Sequence, residues 1–481
     1  MSTIKKSLGL SFATQYAELA IQFVGVMVLA RLITPEEIGI YSVAAFLMAV
    51  LHVFRDFGVG KYIIQVEELT RERIRSAYGV AVILAWVIAL VLLAASPLLA
   101  AFYGEPRVGD ILVVMSASFA VTPLGSVLTS IFRRNMQFKK LLVVRVSSAL
   151  CHVATAVTLA LSGFGAISLA WANFAGILAY GIAAMALRMP GTPFVPSFRN
   201  IRDILSFGSV SSAGNVAGVV GNSAPDVIIG KVISLSASGY FSRGNGLIGM
   251  FRTLVQGAIL PLVLPYFAQL RREKGDVTSA YHLAVAHLTA FAWPFFAVVG
   301  LLALPIVRVL YGPQWDESVP VVQVLCVAGA ISMLATFAGE VMIAFGRVGQ
   351  SAAAQLTTQP VRVAAILAAS PFGLVAVAAA VVLAECFNVA ETSRRLRKAT
   401  GIGFAGVLGA TGKSAVVTAC SVVCPAIAML ALTSGRHAWL DLVVGGCGAV
   451  IGWFAGVVWT GHPVKVHLYQ ARQWVAMRVR G

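Results

Sequence analysis

The sequence predicts an all-α integral membrane protein of 14 transmembrane helices. They form two six-helix parallel-repeat lobes followed by two C-terminal helices, with both termini cytoplasmic. Three observations carry this prediction. First, 59% of the 481 residues are hydrophobic and only 11% are charged, where a soluble chain carries about 25% charged residues. Second, the apolar residues collect into fourteen runs long enough to span a bilayer. Third, the basic residues alternate between the two sides of those runs. Of 36 Lys and Arg, 27 fall in connections on one side, five on the other and four inside runs. That alternation sets the orientation, because basic connections stay cytoplasmic. It also accounts for the net charge of +17, which in a soluble chain would point to nucleic acid.

The elements follow in order. The run 9–33 stands behind Lys5 and Lys6 and is far longer than a signal-peptide core, so it reads as an uncleaved first helix. Thr34-Pro35 introduces the second, 38–62, and the basic stretch Lys61 to Arg75 ends it. Runs 76–102 and 109–132 meet at Tyr103-Gly104-Glu105-Pro106, a turn signature. Arg133, Arg134, Lys139, Lys140 and Arg145 then lead into 141–162, and 166–188 completes an N-lobe over 1–189. Residues 190–203, with Pro190, Pro193 and Pro196, make a cytoplasmic linker. The C-lobe, 204–398, holds runs 204–231, 237–267, 280–306, 319–345, 350–370 and 373–393, with Tyr311-Gly312-Pro313 marking one turn. Runs 413–433 and 437–460 and a basic tail fill 399–481.

The lobes repeat one another. The stretch from Arg31 (RLIT, then Gly39) resembles that from Lys231 (KVIS, then Gly239), 200 residues on. Phe102-Tyr103-Gly104 matches Leu310-Tyr311-Gly312, and Gly163-Phe164-Gly165 matches Pro371-Phe372-Gly373, both at an offset of 208. An even number of spans per half keeps both halves in one orientation, giving parallel repeats and substrate contacts from related helices of each.

Ionisable residues inside spans are expensive and mark function or pairing. Arg55 and Asp56 lie at the end of the second run. They either snorkel at a helix end or line a solvated cavity where Arg55 meets an anion. In the repeat partner, 237–267, stand Arg243, Asn245 and Arg252. Arg252 falls within one helical turn of Arg55 under the 200-residue offset. Two such guanidiniums suit a phosphate or pyrophosphate, which they fork. Arg362 joins them as a candidate substrate-binding residue. Glu18, Asp56, Asp226 and Glu340 are candidate carboxylates for coupling a proton or cation. Glu18 equally suits a structural bond to a neighbouring helix.

Other signals point away from chemistry. The six cysteines lie in apolar segments and read as small packing residues, with no metal site. Gly409 to Ser414 ends like a nucleotide-binding loop, but Val407 occupies the required first glycine and no strand precedes it. It reads instead as a basic connection. Nothing suggests an enzyme or a cofactor.

ARLITPEEIGIYSVA at 30–44, FRDFGVGKYIIQ at 54–65, FRRNMQFKK at 132–140, YFSRGNGL at 240–247 and LYGPQW at 310–315 carry a resemblance. The chain resembles the polysaccharide-transport (oligosaccharide flippase) branch of the MOP superfamily of MATE-like exporters, and within it the exporters of exopolysaccharide, colanic-acid or teichuronic-acid repeat units. The resemblance covers the first twelve runs. It implies a multi-pass protein of the bacterial cytoplasmic membrane. Such a flippase moves undecaprenyl-(pyro)phosphate-linked oligosaccharide across that membrane by alternating access, for exopolysaccharide or lipopolysaccharide biosynthesis. It implies a polyprenyl-linked oligosaccharide and membrane lipids as partners, together with polymerase and export proteins, and no nucleic acid. By position it gives Arg55 and Arg252 the pyrophosphate. The alternatives are an ion-coupled multidrug or small-molecule exporter of the same superfamily, a peptidoglycan-precursor flippase, and a non-transporting scaffold.

Overall fold

The computed structural model describes residues 2–55, 59–191, 193, 195–198, 218–431 and 438–466. Asp56, part of the expected linker and the tail from 467 lie outside them. Among the described residues every regular element is helical. The chain runs through α1 (Ser2–Leu32), α2 (Pro35–Arg55), α3 (Val59–Gln65), α4 (Arg71–Tyr103), α5 (Pro106–Val121), α6 (Pro123–Arg134), α7 (Phe138–Leu161) and α8 (Ile167–Ala186). A helix over 218–232 is α9. Then come α10 (Leu235–Ala258), α11 (Leu260–Arg272), α12 (Val277–Leu301), α13 (Ala303–Leu310), α14 (Val319–Ser332), α15 (Ala338–Ala344), α16 (Val348–Ala369), α17 (Leu374–Thr400), α18 (Phe404–Ala431) and α19 (Ala438–Thr460). Among the described residues nine helices are long and apolar enough to cross a membrane, and α5 with α6, bent by 47° at their junction, is either a tenth, broken span or a re-entrant loop. The chain divides into two compact units, Met1–Gly239 and Tyr240–Gly481.

The punctuation read in the sequence sits at helix ends. Thr34 caps α2 in a reciprocal box: its N–H donates to Glu37 Oε2 at 2.8 Å, and the Glu37 N–H donates to Thr34 Oγ1 at 3.3 Å. Gly104 ends α4 at φ 69°, a left-handed conformation glycine adopts without strain. Glu105 then caps α5, with Pro106 at its first turn. The Arg107 guanidinium, 2.8 Å from Glu105 Oε1, holds that carboxyl below the usual carboxylate range.

Within the first unit, Val59, Ile63, Tyr78, Val127, Leu128, Ile131 and Phe132 belong to one buried cluster. Ile40, Met48, Ile88, Leu92, Ile111 and Phe119 belong to another. The starts of α2 and α10 also touch. A β-carbon on Gly39 would lie 1.7 Å from the Leu235 carbonyl oxygen, and one on Gly239 would lie 1.9 Å from that of Pro35. Pro35 and Leu235, like Gly39 and Gly239, are 200 residues apart. The repeat seen in sequence therefore meets itself in a reciprocal contact that only glycine permits.

In the second unit α18 and α19 form a close pair. Gly448, Gly452 and Gly456 of α19 lie against Cys424, Cys420 and Val417 of α18, and a β-carbon on Gly452 would stand 2.3 Å from the Cys420 carbonyl oxygen. The cysteines are only partly the buried packing residues expected from sequence: Cys326 is buried, but Cys386, Cys424 and Cys447 are exposed. In an apolar solvent a small apolar side chain needs no burial. The stretch from Gly409 to Ser414 is also corrected, because it is helix inside α18 and not a connection. Lys413 tolerates this by reaching along its stem to donate to the Gly461 carbonyl at 3.2 Å.

One polar seat fixes this pair to α12. His462, which follows α19, is buried. Its Nδ1 accepts from the Val464 N–H at 3.2 Å, so in the neutral ring the proton sits on Nε2, 3.2 Å from Ser414 Oγ. Ser414 Oγ is 2.9 Å from Thr289 Oγ1 of α12. Trp453 Nε1 donates to the Ala290 carbonyl at 2.7 Å. Burial, with His287 and Lys413 nearby, pushes the His462 imidazole down to about 4.

Candidate functional site

The span expected at 109–132 does not run straight. Proline lacks the N–H that would continue the ladder, and at Thr122-Pro123 the helix turns by 47° into α6. The turn presents two faces of α6. Val127, Leu128, Ile131 and Phe132 are buried and apolar, and Thr129 and Ser130 are buried too. Ser126, Thr129, Ser130 and Arg133, at positions i, i+3, i+4 and i+7, share the other face.

That polar face lines a cavity of about 330 Å³ in the first unit. Arg55, at the end of α2, lines it together with Arg133. Tyr180 of α8 reaches in over Gly125, where a β-carbon would lie 2.6 Å from its ring. The Tyr180 hydroxyl donates to Thr129 Oγ1 at 2.7 Å. Thr129 Oγ1 in turn donates to the Gly125 carbonyl at 2.9 Å. Ser130 Oγ donates to the Ser126 carbonyl at 3.0 Å, and Thr122 Oγ1 donates to that of Ser118 at 2.8 Å. These hydroxyl protons are spent on the helix's own backbone, which leaves lone pairs for a ligand.

Arg134, one residue beyond Arg133, does a different job. Its Nη1 donates to the carbonyls of Ile63 at 2.7 Å and Val66 at 2.5 Å, and its Nη2 donates to that of Glu67 at 2.9 Å. It thereby satisfies the carbonyls that the short α3 leaves open and holds that wall of the cavity.

In the second unit Arg362 of α16 donates to Glu385 Oε1 of α17 at 2.8 Å, with side chains only 11% and 6% exposed. Asn388 Nδ2 donates to Glu385 Oε2 at 3.1 Å. Arg252 of α10 lies near enough to Arg362 to repel it. Two expected binding residues thus come together, and a carboxylate already answers one of them. Arg243 sits elsewhere, with its guanidinium carbon 5.8 Å from the Tyr311 ring centre and 5.5 Å from that of Trp315. That is cation–π geometry. Asn245 is half-buried on the same helix.

The coupling candidates are scattered. Glu18 pairs with Arg145 of α7 at 3.4 Å. Glu340 is half-buried in the first turn of α15. Asp226, on α9, has a buried carboxylate oxygen with no hydrogen-bond partner among the described residues. The sequence reading does not single out Arg133, Ser126, Thr129, Ser130 or Tyr180. The i, i+3, i+4, i+7 spacing on α6 is the signal that carries them.

A family model described as "Polysaccharide biosynthesis protein" matches residues 28–320. The succinoglycan biosynthesis transport protein ExoT of Rhizobium meliloti (strain 1021) is 26% identical over 336 residues, 70% of this chain and 68% of that one. Among solved structures, the lipid II flippase MurJ in its inward closed conformation matches with TM-score 0.74 at 12% identity, over 92% of this chain and 98% of that one. An inward-facing multidrug resistance MATE family transporter of the MOP superfamily matches with TM-score 0.60 at 11% identity, over 83% and 94%. At these identities the structural matches establish the fold.

Proposed function

The chain belongs to the polysaccharide biosynthesis protein family, and from that premise we propose that it is a flippase. It moves undecaprenyl-(pyro)phosphate-linked oligosaccharide repeat units across the bacterial cytoplasmic membrane by alternating access. Fourteen spans, cytoplasmic termini and two six-helix lobes (1–189 and 204–398) complete the reading. Polymerase and export proteins act on the product.

The observation that carries it is a pair of arginines, on α2 and α10, whose places correspond within one helical turn in the repeat. Arg55 ends α2 and lines a polar cavity, and Arg252 stands in α10 beside Arg362. Guanidinium at membrane depth is tolerated where it faces water or a partner, and an oligosaccharide phosphate requires both water and cations. Asn245, two helical turns before Arg252, extends the same side of α10, while Arg243 lies on the opposite side with Tyr311 and Trp315. Among Glu18, Asp56, Asp226 and Glu340, the coupling role falls best on Asp226, whose buried oxygen is open to a proton or cation.

The test uses purified protein in liposomes containing a short lipid-linked oligosaccharide, whose arrival in the opposite leaflet is followed. Wild type transports, while Arg55→Ala and Arg252→Ala, correctly inserted, lose at least an order of magnitude in rate. Transport untouched by both substitutions removes the arginines from the mechanism. Efflux of cationic dyes under an ion gradient, with no lipid transport, replaces the flippase reading by the multidrug one.

A further inference from the structure

The end of α17 carries an excess of positive charge. From Glu391 to Gly403 the chain holds Arg394, Arg395, Arg397 and Lys398 against one carboxylate. Glu391 accepts from Nε of Arg394 at 2.7 Å and from Nε of Arg395 at 2.6 Å. Arg395 then turns to α16, where its Nη2 donates to Thr357 Oγ1 at 3.1 Å. Arg394 and Arg397 are exposed instead, and both line a cleft of about 850 Å³ in the second unit.

The cleft exists because two consecutive helices part. Only residues 401–403 join α17 to α18, with Gly401 turning at φ 83°. Helices joined so briefly ordinarily pack as a hairpin. Here α17 packs on α16 and α14, while α18 packs on α19 and α12. Ile331 of α14 and Leu334 just beyond it form an apolar floor, and Phe404 and Ala405 of α18 form a second wall.

The α17 wall is graded. Cys386, Val389, Ala390, Ser393, Arg394 and Arg397 line the cleft, and their spacing puts them on one helical face. Along that face the chemistry passes from apolar through a hydroxyl to two guanidiniums. A phospholipid changes in the same order, from acyl chain through glycerol ester to phosphate. The length agrees as well. From Cys386 to Arg397 the helix rises roughly 16 Å, and one leaflet is about half of a ~30 Å hydrocarbon core. An undecaprenyl chain outruns that length, a soluble phosphate leaves the apolar floor bare, and a zwitterionic lipid brings no net charge to the arginines.

We infer that this cleft seats an anionic phospholipid. Arg394 and Arg397 meet its phosphate, Ser393 lies at the level of the ester, and an acyl chain runs along Ile331, Leu334 and Ala390. On the topology proposed above, the basic end lies in the cytoplasmic leaflet, whose anionic lipids hold polybasic segments. The lipid supplies α17 and α18 with contacts that they scarcely make with each other. The seat is separate from the transported substrate and goes beyond the flippase reading.

The experiment is native mass spectrometry of the detergent-purified full chain. It is titrated with phosphatidylglycerol, with phosphatidylcholine of the same chains, and with glycerol phosphate as a headgroup without chains. Two arginines favour the anionic lipid about thirtyfold over the zwitterionic one, and glycerol phosphate binds more weakly than either. Arg397→Gln weakens phosphatidylglycerol about fivefold, and Arg397→Lys restores it. Lys398→Gln, which removes an exposed cation off the lining face, leaves it nearly intact. Ala390→Trp fills the apolar part and abolishes binding with every charge in place. Equal affinity for the two lipids, equal loss in Lys398→Gln and Arg397→Gln, or full binding in Ala390→Trp overturns the site as diffuse surface charge. Glycerol phosphate binding as tightly as phosphatidylglycerol overturns it as a site for free phosphate. Displacement of phosphatidylglycerol by equimolar undecaprenyl phosphate overturns it as a seat for the substrate's carrier. A wild type that binds as expected but flips no lipid-linked oligosaccharide keeps the site and overturns the flippase.

Discussion

Replacing Gly39 with alanine sets a methyl carbon 1.7 Å from the Leu235 carbonyl oxygen, and Gly239→Ala sets one 1.9 Å from that of Pro35. Real β-carbons essentially never approach closer than 3.0 Å. The two helix starts must therefore part by roughly 1.3 Å for the first substitution and roughly 1.1 Å for the second. No rotamer relieves either clash, because both obstacles are backbone. Overpacking costs about 1–3 kcal/mol, and parting the helices also loosens Cα–H···O contacts of about 0.5–1 kcal/mol each. Alanine's better helix propensity offsets about 1 kcal/mol. Each single variant then loses about 1–3 kcal/mol. The double variant is the informative one. A separation wide enough for the first methyl already accommodates the second, so the pair loses about as much as Gly39→Ala alone. The assay is the melting midpoint of detergent-purified protein, read by size-exclusion of heated samples. Downward shifts in both singles, with the double no worse than the larger single, are expected. Additive shifts, or singles that melt like wild type, would refute the reciprocal contact.

Three further predictions rest on single contacts. Glu385→Gln leaves the Arg362 charge buried beside Arg252 and costs about 3–5 kcal/mol, while Arg362→Met with Glu385→Gln recovers most of the melting temperature. Arg134→Met strips the carbonyls at the end of α3 of their donor. Amides 59–66 then exchange hydrogen faster, and unchanged protection there would show the clamp to be idle. His462 gives a pH dependence of known sign. Its folded value of about 4 lies below the ordinary 6.5, so its contribution is complete above 6.5 and is lost as pH falls through 4. On the order of 3 kcal/mol is involved. The melting temperature of wild type therefore falls more steeply between pH 6.5 and 4 than that of His462→Gln, and parallel curves would contradict the buried neutral ring.

Much of the scaffold is legible in the sequence because it is written in local terms. Pro35, Gly104 and Pro106 stand at helix ends for reasons of backbone geometry that involve no distant residue. The 200-residue offset even picks out Gly39 and Gly239, though not that they touch. The bend at Thr122 is hidden, because the apolar run over 109–132 continues straight through it and membrane helices tolerate proline. Arg133 reads as a loop cation until α6 is known to turn, after which its spacing from Ser126, Thr129 and Ser130 becomes a face. Arg362 and Glu385 are each visible as costly residues, but a partner 23 positions away on another helix belongs to the fold. Lys413 suggests a helix end, whereas its flexible stem lets α18 start earlier.

The seat of α18 and α19 on α12 bears on how the chain is made. Thr289 and the Ala290 carbonyl leave the translocon well over a hundred residues before Ser414, Trp453 and His462 exist. The Thr289 hydroxyl waits at little cost, since it also reaches the Val285 carbonyl of its own helix at 2.9 Å. Among the described residues the Nε2 proton of His462 meets Ser414 Oγ and no carbonyl of its own segment. His462 emerges after both helices of the hairpin and completes a seat that Ser414 and Trp453 have already begun, so a nascent chain stalled just short of it would hold the pair on α12 by those two contacts alone.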